Sequence, residues 1–203
     1  GAIVFFGTTE NNNFTGSFIN NSALGENSGD SIGNGGAITF TGISNNCIFT
    51  CDFINNTATE HGGAINYRQT PHNITFNGNF INNKAKYGGG INFFESLEDI
   101  IFNGEFNGNS AVQGGAIYIN ASVSNCKIDS TFINNTASRG GAIYFNNETD
   151  NIIINGYFEG NEAERIGGAI VFQAKSTNNI ISAEFYNNKA KEAIKARGYY
   201  PVE

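Results

Sequence analysis

The chain has 203 residues, of which 26 are glycine, and it carries a formal net charge of −7 at pH 7. This acidic balance argues against binding to nucleic acid or to an anionic membrane surface, because both partners require clusters of lysine and arginine. The sequence also lacks an apolar run of 18 or more residues, the length that a membrane-spanning helix needs.

One repeat of 26 or 27 residues accounts for most of the chain. Each copy opens with a pair of glycines, reaches a phenylalanine 18 residues later, and places an asparagine three residues beyond it. The glycine pairs begin at Gly35, Gly62, Gly88, Gly114, Gly140 and Gly167. The sequence starts on half of such a pair, so we expect a fragment of a larger protein. A fixed period of this size predicts a stacked solenoid.

Apolar residues within each copy alternate with a period of two. In the third copy, Ile65 and Tyr67 are two residues apart, and Ile74 and Phe76 keep the same spacing. That is the periodicity of β-strands, and the abundant glycine, asparagine and threonine disfavour helix interiors. The sequence therefore predicts an all-β parallel β-helix, with about seven coils of 26–27 residues and about three short strands in each coil. Residues 1–191 are expected to form this single domain.

The repeated asparagine predicts a ladder of side-chain amides along the stack. Neighbouring coils lie about 4.8 Å apart, so one amide can donate to the amide oxygen of the next coil. We also expect this asparagine to make the turn, since asparagine tolerates left-handed backbone. The alternative, that asparagine is only a common turn residue, does not account for its fixed position. The ladder comprises Asn21, Asn56, Asn83, Asn109, Asn135, Asn161 and Asn188.

Two other repeated positions have expected structural roles. The repeated phenylalanine should form an apolar stack inside the coils. The glycine pair should mark a corner that leaves no room for a Cβ atom.

Residues 24–34 are an insertion between the first and second copies. The segment is rich in glycine, serine and asparagine, which predicts a surface loop. Glu26 and Asp30 are candidate calcium ligands, but the calcium-binding nonapeptide pattern of β-roll repeats is absent. We therefore expect a plain loop, and neither a metal nor a cofactor.

The three cysteines are expected to be buried free thiols. Cys47 and Cys51 are four residues apart on one predicted strand, about 13 Å, which is too far for a disulfide. Cys126 occupies the Cys47 position three coils further on. No partner for a zinc site stands at a suitable position, so these thiols should act as small apolar residues.

A segment of five residues after the first strand differs from coil to coil. From the second copy onward this variable segment reads TGISN, RQTPH, FESLE, NASVS, NNETD and QAKST. Because turns on a rigid scaffold often carry function, we expect a binding surface to vary here.

No catalytic constellation is evident, and we predict that the domain is not an enzyme. Asp52 and Glu105 precede the repeated phenylalanine two coils apart, about 9.6 Å, just outside the spacing of an inverting carboxylate pair. His61, Arg68 and His72 are close in sequence, but His61 stands at a corner and ordinary surface histidines are expected. A polysaccharide-degrading β-helix is the alternative.

Tyr118 and Tyr144 occupy one outward position in adjacent coils, and Val171 follows in the next coil. A strip of aromatic rings can pack against sugar rings, which makes the two tyrosines candidates for carbohydrate contact. An ordinary aromatic ladder between coils is the alternative interpretation.

Two further features remain. Beyond Ala190 the repeat pattern stops, and residues 192–203 are expected to be a C-terminal cap or a linker. Glycosylation of some asparagines is an open question for a secreted parent protein, because the chain contains several Asn-x-Ser/Thr sequons. The sequons lie at Asn13, Asn20, Asn55, Asn73, Asn120, Asn134 and Asn147.

The paired motifs Gly-Gly-Ala-Ile and Phe-x-x-Asn resemble the repeat of chlamydial polymorphic outer-membrane proteins. Every copy carries Phe-x-x-Asn, and Gly-Gly-Ala-Ile is altered at Gly88-Gly89-Gly90-Ile91. The consensus Phe-Ile-Asn-Asn-x-Ala is also similar to adhesin-like surface proteins of methanogenic archaea. The resemblance implies a right-handed β-helix, a cell-surface or secreted setting, and an adhesive or structural role without catalytic residues. The implied partner is a surface glycan or a protein on another cell, and a polysaccharide-binding domain is the alternative.

Overall fold

A computed structural model of the protein describes residues 1–25 and 33–192. The described residues form a right-handed parallel β-helix of seven coils, which confirms the fold that the repeat predicts. No helix occurs among them, so none is long and apolar enough to cross a membrane. Most of the predicted loop at residues 24–34, including Glu26 and Asp30 of the considered calcium site, lies outside the described residues. So does the segment 193–203, which contains nearly all of the predicted cap or linker.

The first coil has four strands, and the next three coils have three strands each. The first coil contains β1 Ile3–Phe5, β2 Thr9–Glu10, β3 Asn13–Ile19 and β4 Ser22–Ala23. The second contains β5 Ile38–Phe40, β6 Ser44–Ile54 and β7 Thr57–Ala58. The third contains β8 Ile65–Tyr67, β9 Pro71–Phe76 and β10 Phe80–Ile81, and the fourth β11 Ile91–Phe93, β12 Leu97–Phe102 and β13 Glu105–Asn107.

The last three coils have five strands each. The fifth contains β14 Ile117–Ile119, β15 Val123–Ser124, β16 Lys127–Ile128, β17 Thr131–Ile133 and β18 Thr136–Arg139. The sixth contains β19 Ile143–Phe145, β20 Thr149–Asp150, β21 Ile153–Ile154, β22 Tyr157–Glu159 and β23 Glu162–Ile166. The seventh contains β24 Ile170–Phe172, β25 Ser176–Thr177, β26 Ile180–Ile181, β27 Glu184–Tyr186 and β28 Lys189–Ala190.

Equivalent strands of successive coils pair in parallel and in register. The first strand of every coil joins one seven-stranded sheet, in the order β1-β5-β8-β11-β14-β19-β24. A second sheet of 16 strands runs along the rest of the coil wall, and the small sheets β18-β23-β28 and β4-β7 close the corner before the glycine pair. Phe80 pairs with Phe53 on one side and with Phe106 on the other, so like residues lie on like residues.

The interior of the stack is filled by columns of aromatic rings. The repeated phenylalanines stack from Phe18 to Phe185, with centroids 4.7–5.1 Å apart and ring planes within 14° of parallel. Edge-to-face contacts such as Phe76 on Phe80, at 6.1 Å, connect neighbouring columns. Both geometries are favourable for aromatic pairs. The predicted apolar stack is therefore confirmed.

The three cysteines lie within this core as free thiols, as the sequence predicts. Burial raises the pKa of Cys51 to about 11 and that of Cys126 to about 12. Because the thiolate is the reactive form, these side chains behave as small apolar residues.

The glycine pair forms a tight corner in the second to seventh coils. The first glycine of each pair has left-handed backbone, with φ between 59° and 64°. At the second glycine a Cβ atom would collide with the coil below; at Gly115 it would lie 2.0 Å from the carbonyl oxygen of Gly141. The repeat thus requires both glycines, for different reasons.

Candidate binding surface

The predicted asparagine ladder runs unbroken from Asn21 to Asn188. Each Nδ2 atom donates to the Oδ1 atom of the next coil at 2.8–3.0 Å. Asn109 shows the full pattern. Its Oδ1 accepts from the backbone N and the Nδ2 of Asn83, and its Nδ2 donates to Asn135 Oδ1 and to the carbonyl oxygen of Phe80. Every hydrogen-bonding capacity of this buried amide is used, so the ladder acts structurally.

One expectation about the ladder is wrong, because the turn is made by a different residue. The ladder asparagines do not have positive φ, whereas the residue before each of them does. This preceding position, here called the turn position, holds an asparagine in five coils and a glycine in two. The turn position comprises Asn20, Asn55, Asn82, Gly108, Asn134, Gly160 and Asn187. Left-handed backbone and an inward amide are thus supplied by two neighbouring residues.

Tyr118 and Tyr144 stack on each other, with centroids 5.7 Å apart, but they are nearly buried. Their exposed fractions are 6% and 1%. Each hydroxyl is also bound, to Asn120 Oδ1 at 3.2 Å and to Gln173 Oε1 at 2.9 Å. Burial, followed by the neighbouring tyrosines, raises the pKa of Tyr118 to about 12. The aromatic ladder is present, while little ring surface is open to a sugar, and carbohydrate contact at these residues stays a prediction.

The outward face of the first sheet is covered by the residues that precede each glycine pair. Tyr87 and Ile166 pack against the cluster formed by Tyr118, Tyr144 and Val171. The covering residues pair across coils in parallel, as His61 does with Tyr87. Because these residues differ in type from coil to coil, the repeat pattern did not indicate that they cover this face.

The two carboxylates considered as a catalytic pair are separated by an amide. Asp52 Oδ1 accepts hydrogen bonds from the backbone N and the Nδ2 of Asn79, at 3.1 and 2.9 Å. The Oδ1 of Asn79 accepts in turn from the backbone N of Glu105. Asn79 therefore lies in the coil between them, and Glu105 Oε1 accepts from Asn107 instead. The arrangement is a hydrogen-bonded strand face.

His61, Arg68 and His72 belong to different parts of the wall. The half-buried His61 stacks on Tyr87 at 5.0 Å, and burial lowers its pKa. The exposed His72 lies in β9, with its Nε2 3.7 Å from Asp99 Oδ2. Arg68 begins the variable segment of the third coil, and it lines a cavity together with Thr39 and Thr41. The structure gives the two histidines different partners.

The variable segments of the third to seventh coils line a shallow cavity of about 400 Å³, here called the polar groove. The alternation of each segment places its apolar or small residue inward, as with the buried Leu97, Val123 and Thr149. The residues on either side face outward. The variable segments therefore lie together along one groove, and binding at this groove stays a prediction.

A row of oxygen-bearing side chains runs along the polar groove, parallel to the stack. Glu98 pairs in register with Ser124, Ser124 with Asp150, and Asp150 with Thr177. Asp150 Oδ1 accepts from Thr177 Oγ1 at 3.0 Å, and Lys175 supplies a cation at one end. Successive members lie one coil apart, about 4.8 Å. The sequence indicated the segment but not this row, although an acidic residue ends the segment at both Glu98 and Asp150.

The described residues contain no group of three or more histidine, cysteine, aspartate or glutamate side chains that could hold a metal ion. The groove offers carboxylate oxygens, which accept hydrogen bonds, serine and threonine hydroxyls, which both donate and accept, and the ammonium of Lys175, which donates. Such a surface suits a ligand rich in hydroxyl donors.

Comparison with known proteins gives one match. The family model described as the Chlamydia polymorphic membrane protein repeat matches residues 50–67, 99–120 and 129–146, less than a third of the chain. No curated protein and no solved structure matches. The likeness to archaeal adhesin-like proteins therefore stays a prediction. In three segments of its coils, the chain is similar to the chlamydial polymorphic membrane protein repeat.

Proposed function

We propose that this domain is a non-catalytic surface module that mediates attachment or displays other domains. One observation carries the proposal: a regular scaffold, held by a hydrogen-bonded asparagine ladder, presents a strip of residues that change from coil to coil, and that strip lines the polar groove. A rigid frame with a variable surface is the arrangement that recognition domains use.

The family match supports a location outside the cell. The matched repeat is described as a membrane-protein repeat of Chlamydia, and a surface setting agrees with an acidic, hydrogen-bonded solenoid. We therefore propose that the domain lies on the cell surface or is secreted, as part of a larger surface protein. Buried thiols without disulfides are compatible with this setting, because none of the described cysteines can reach a partner.

The partner that best suits the groove is a glycan on another cell, and a surface protein is the alternative partner. Glu98, Ser124 and Asp150 present oxygens at successive coil spacings. Sugar hydroxyls can donate to these acceptors, and an extended glycan could follow the row along the stack. A protein partner would instead need apolar anchors, and the groove offers few.

Charge reversal in the groove tests the proposal. Glycan arrays and adhesion to cells would be measured for the wild type and for Glu98→Lys/Asp150→Lys. A matched control, Glu164→Lys/Glu184→Lys, makes the same charge change at exposed positions elsewhere on the stack. We expect the groove variant to lose at least tenfold in binding and the control to keep it. Equal binding by all three proteins would contradict attachment through the groove.

Polysaccharide cleavage remains the competing function, and it has its own test. Turnover would be assayed on acidic and neutral polysaccharides for the wild type, Asp52→Asn and Glu105→Gln. We expect no turnover by any of the three. Turnover by the wild type that either substitution abolishes would make the domain an enzyme and would overturn the proposal of a non-catalytic module.

A further inference from the structure

The sequons of the chain differ in how the folded protein presents them. N-glycosylation modifies the Nδ2 atom of the sequon asparagine, and the transferase must also reach the hydroxyl two residues later. A folded chain can therefore be modified only where both side chains are accessible and the amide is not engaged in the fold.

Three sequons fail this requirement. The Nδ2 of Asn73 donates to Asn46 Oδ1 at 2.8 Å. The Nδ2 of Asn120 donates to the carbonyl oxygen of Phe94, and its Oδ1 accepts from Tyr118. At Asn147 the amide is exposed, but the hydroxyl residue of the sequon, Thr149, is 1% exposed.

Two of the remaining sequons form a matched pair. Residues 53–58 and 132–137 both read Phe-Ile-Asn-Asn-Thr-Ala, and each places its sequon asparagine at the exposed turn position. Asn55 and Asn134 have φ values of 55° and 54°. The hexapeptide and the φ of the sequon asparagine are therefore the same. The two sites differ in their neighbouring coils and in the sequon threonine, since Thr136 is exposed and Thr57 is half-buried. Asn13 and Asn20 lie in the first coil, which has a described neighbour on one side only.

The neighbours at the turn position differ in size. Asn55 lies between Asn20 and Asn82, whereas Asn134 lies between Gly108 and Gly160. A Cβ atom at Gly160 would lie 2.5 Å from Asn134 Oδ1. The amide of Asn134 therefore occupies the space that a side chain at position 160 would take. Coils are about 4.8 Å apart, which is narrower than a sugar ring, and side chains on both adjacent coils limit access.

We propose that Asn134 is a site of N-linked glycosylation, made accessible by the glycines on either side of it. In this reaction Asn134 Nδ2 forms a bond to the anomeric carbon of an oligosaccharide carried on a polyprenyl diphosphate. The bond from that carbon to the diphosphate oxygen breaks, and the lipid diphosphate leaves with the electron pair. A base of the transferase takes the proton that Nδ2 loses.

The test compares the two identical hexapeptides in one protein. The folded chain, carrying Thr15→Ala/Ser22→Ala to remove both sequons of the first coil, is incubated with an oligosaccharyltransferase and a polyprenyl diphosphate oligosaccharide. Peptide mass spectrometry measures the early occupancy of each site. We expect Asn134 to be modified at least tenfold faster than Asn55. An unmodified Asn134, or a rate at Asn55 equal to it, would overturn the proposal.

Two controls assign the difference to the glycines. Gly108→Asn/Ser110→Ala/Gly160→Asn uses the residue that five coils already hold at the turn position, so the fold should persist. The change at Ser110 prevents Gly108→Asn from creating a new Asn-Asn-Ser sequon. The expected effect of this variant is to lower the rate at Asn134 to that at Asn55, and an unchanged rate would exclude the glycines as the cause. In the urea-unfolded chain both sites should be modified equally; a persistent difference there would show that the fold does not select the site.

Discussion

The corner that carries the asparagine ladder and the strip that carries the polar groove lie in the same coils but follow opposite rules. At the ladder, one residue type is repeated and every hydrogen bond closes within the stack, as for Asn83 and Asn109. At the groove, register is kept while the residue changes, as from Glu98 to Ser124. The comparison teaches that one repeated residue type secures the hydrogen bonds of the buried ladder, whereas the outward positions of the groove keep the register without keeping the residue type.

The largest expected effect is at the ladder. Asn109→Ala leaves the backbone N–H and one Nδ2–H of Asn83 without an acceptor in a buried site. Each orphaned donor costs about 1–3 kcal/mol, so the free energy of unfolding should fall by about 4 kcal/mol. Urea unfolding followed by circular dichroism measures the change. Asn21→Ala, in the first coil, is the matched control and should lose less than half as much, because no donor among the described residues depends on Asn21 Oδ1.

The next effect is expected at the glycine corner. Gly115→Ala would place a Cβ atom 2.0 Å from the carbonyl oxygen of Gly141, and backbone on both sides must shift to make room. We expect a loss of about 3 kcal/mol in the free energy of unfolding. Gly7→Ala is the control, since a Cβ atom there meets nothing within 4 Å. Equal unfolding midpoints for the two variants would contradict the proposed corner.

A smaller effect should appear on acidification. Burial lowers the pKa of His61, while an unfolded histidine titrates at about 6.5. As the pH falls below that value, the unfolded chain takes up this proton more readily than the folded chain, so stability present at higher pH is lost. Unfolding midpoints at pH 7.5 and pH 5.5 measure the loss. His61→Gln should reduce this loss, and an unchanged loss in that variant would contradict its assignment to His61.

The smallest effect is expected in the groove. Glu148 is exposed and lines the polar groove, so Glu148→Ala should change the free energy of unfolding by less than about 0.5 kcal/mol. Thermal unfolding measures it. A loss comparable to that of Asn109→Ala would erase the distinction between scaffold and variable surface.

Much of the scaffold could be predicted from the sequence because its chemistry repeats. The ladder and the phenylalanine stack follow from fixed positions whose side chains meet their own kind, and the corner follows from the fixed position of the glycine pair. The free thiols follow from the spacing of the three cysteines along the strand and along the stack. It was harder to predict that the turn and the ladder use two different asparagines, because in Asn55-Asn56 both residues are of the same type. The signal was nevertheless present at Gly108 and Gly160, because glycine replaces the turn residue and never the ladder residue.

The surface could be predicted only in part, because it depends on contacts that no periodicity encodes. The outward position of Tyr144 was clear, but its burial comes from neighbours such as Val171 and Ile166. Likewise, Asp52 and Glu105 stand at the predicted spacing, yet Asn79 binds between them. The variable segment marked the place of the groove, while its shape depends on how five coils stack.

The ladder also gives the stack a direction. Every amide donates toward the following coil and accepts from the preceding one, so the small dipoles of the side chains add along the axis. The pattern leaves an acceptor, Asn21 Oδ1, at the upper face of the described stack, and donors of Asn188 at the lower face. A coil that continues the ladder beyond either face must therefore run in the same sense, since a reversed coil would set oxygen against oxygen or N–H against N–H.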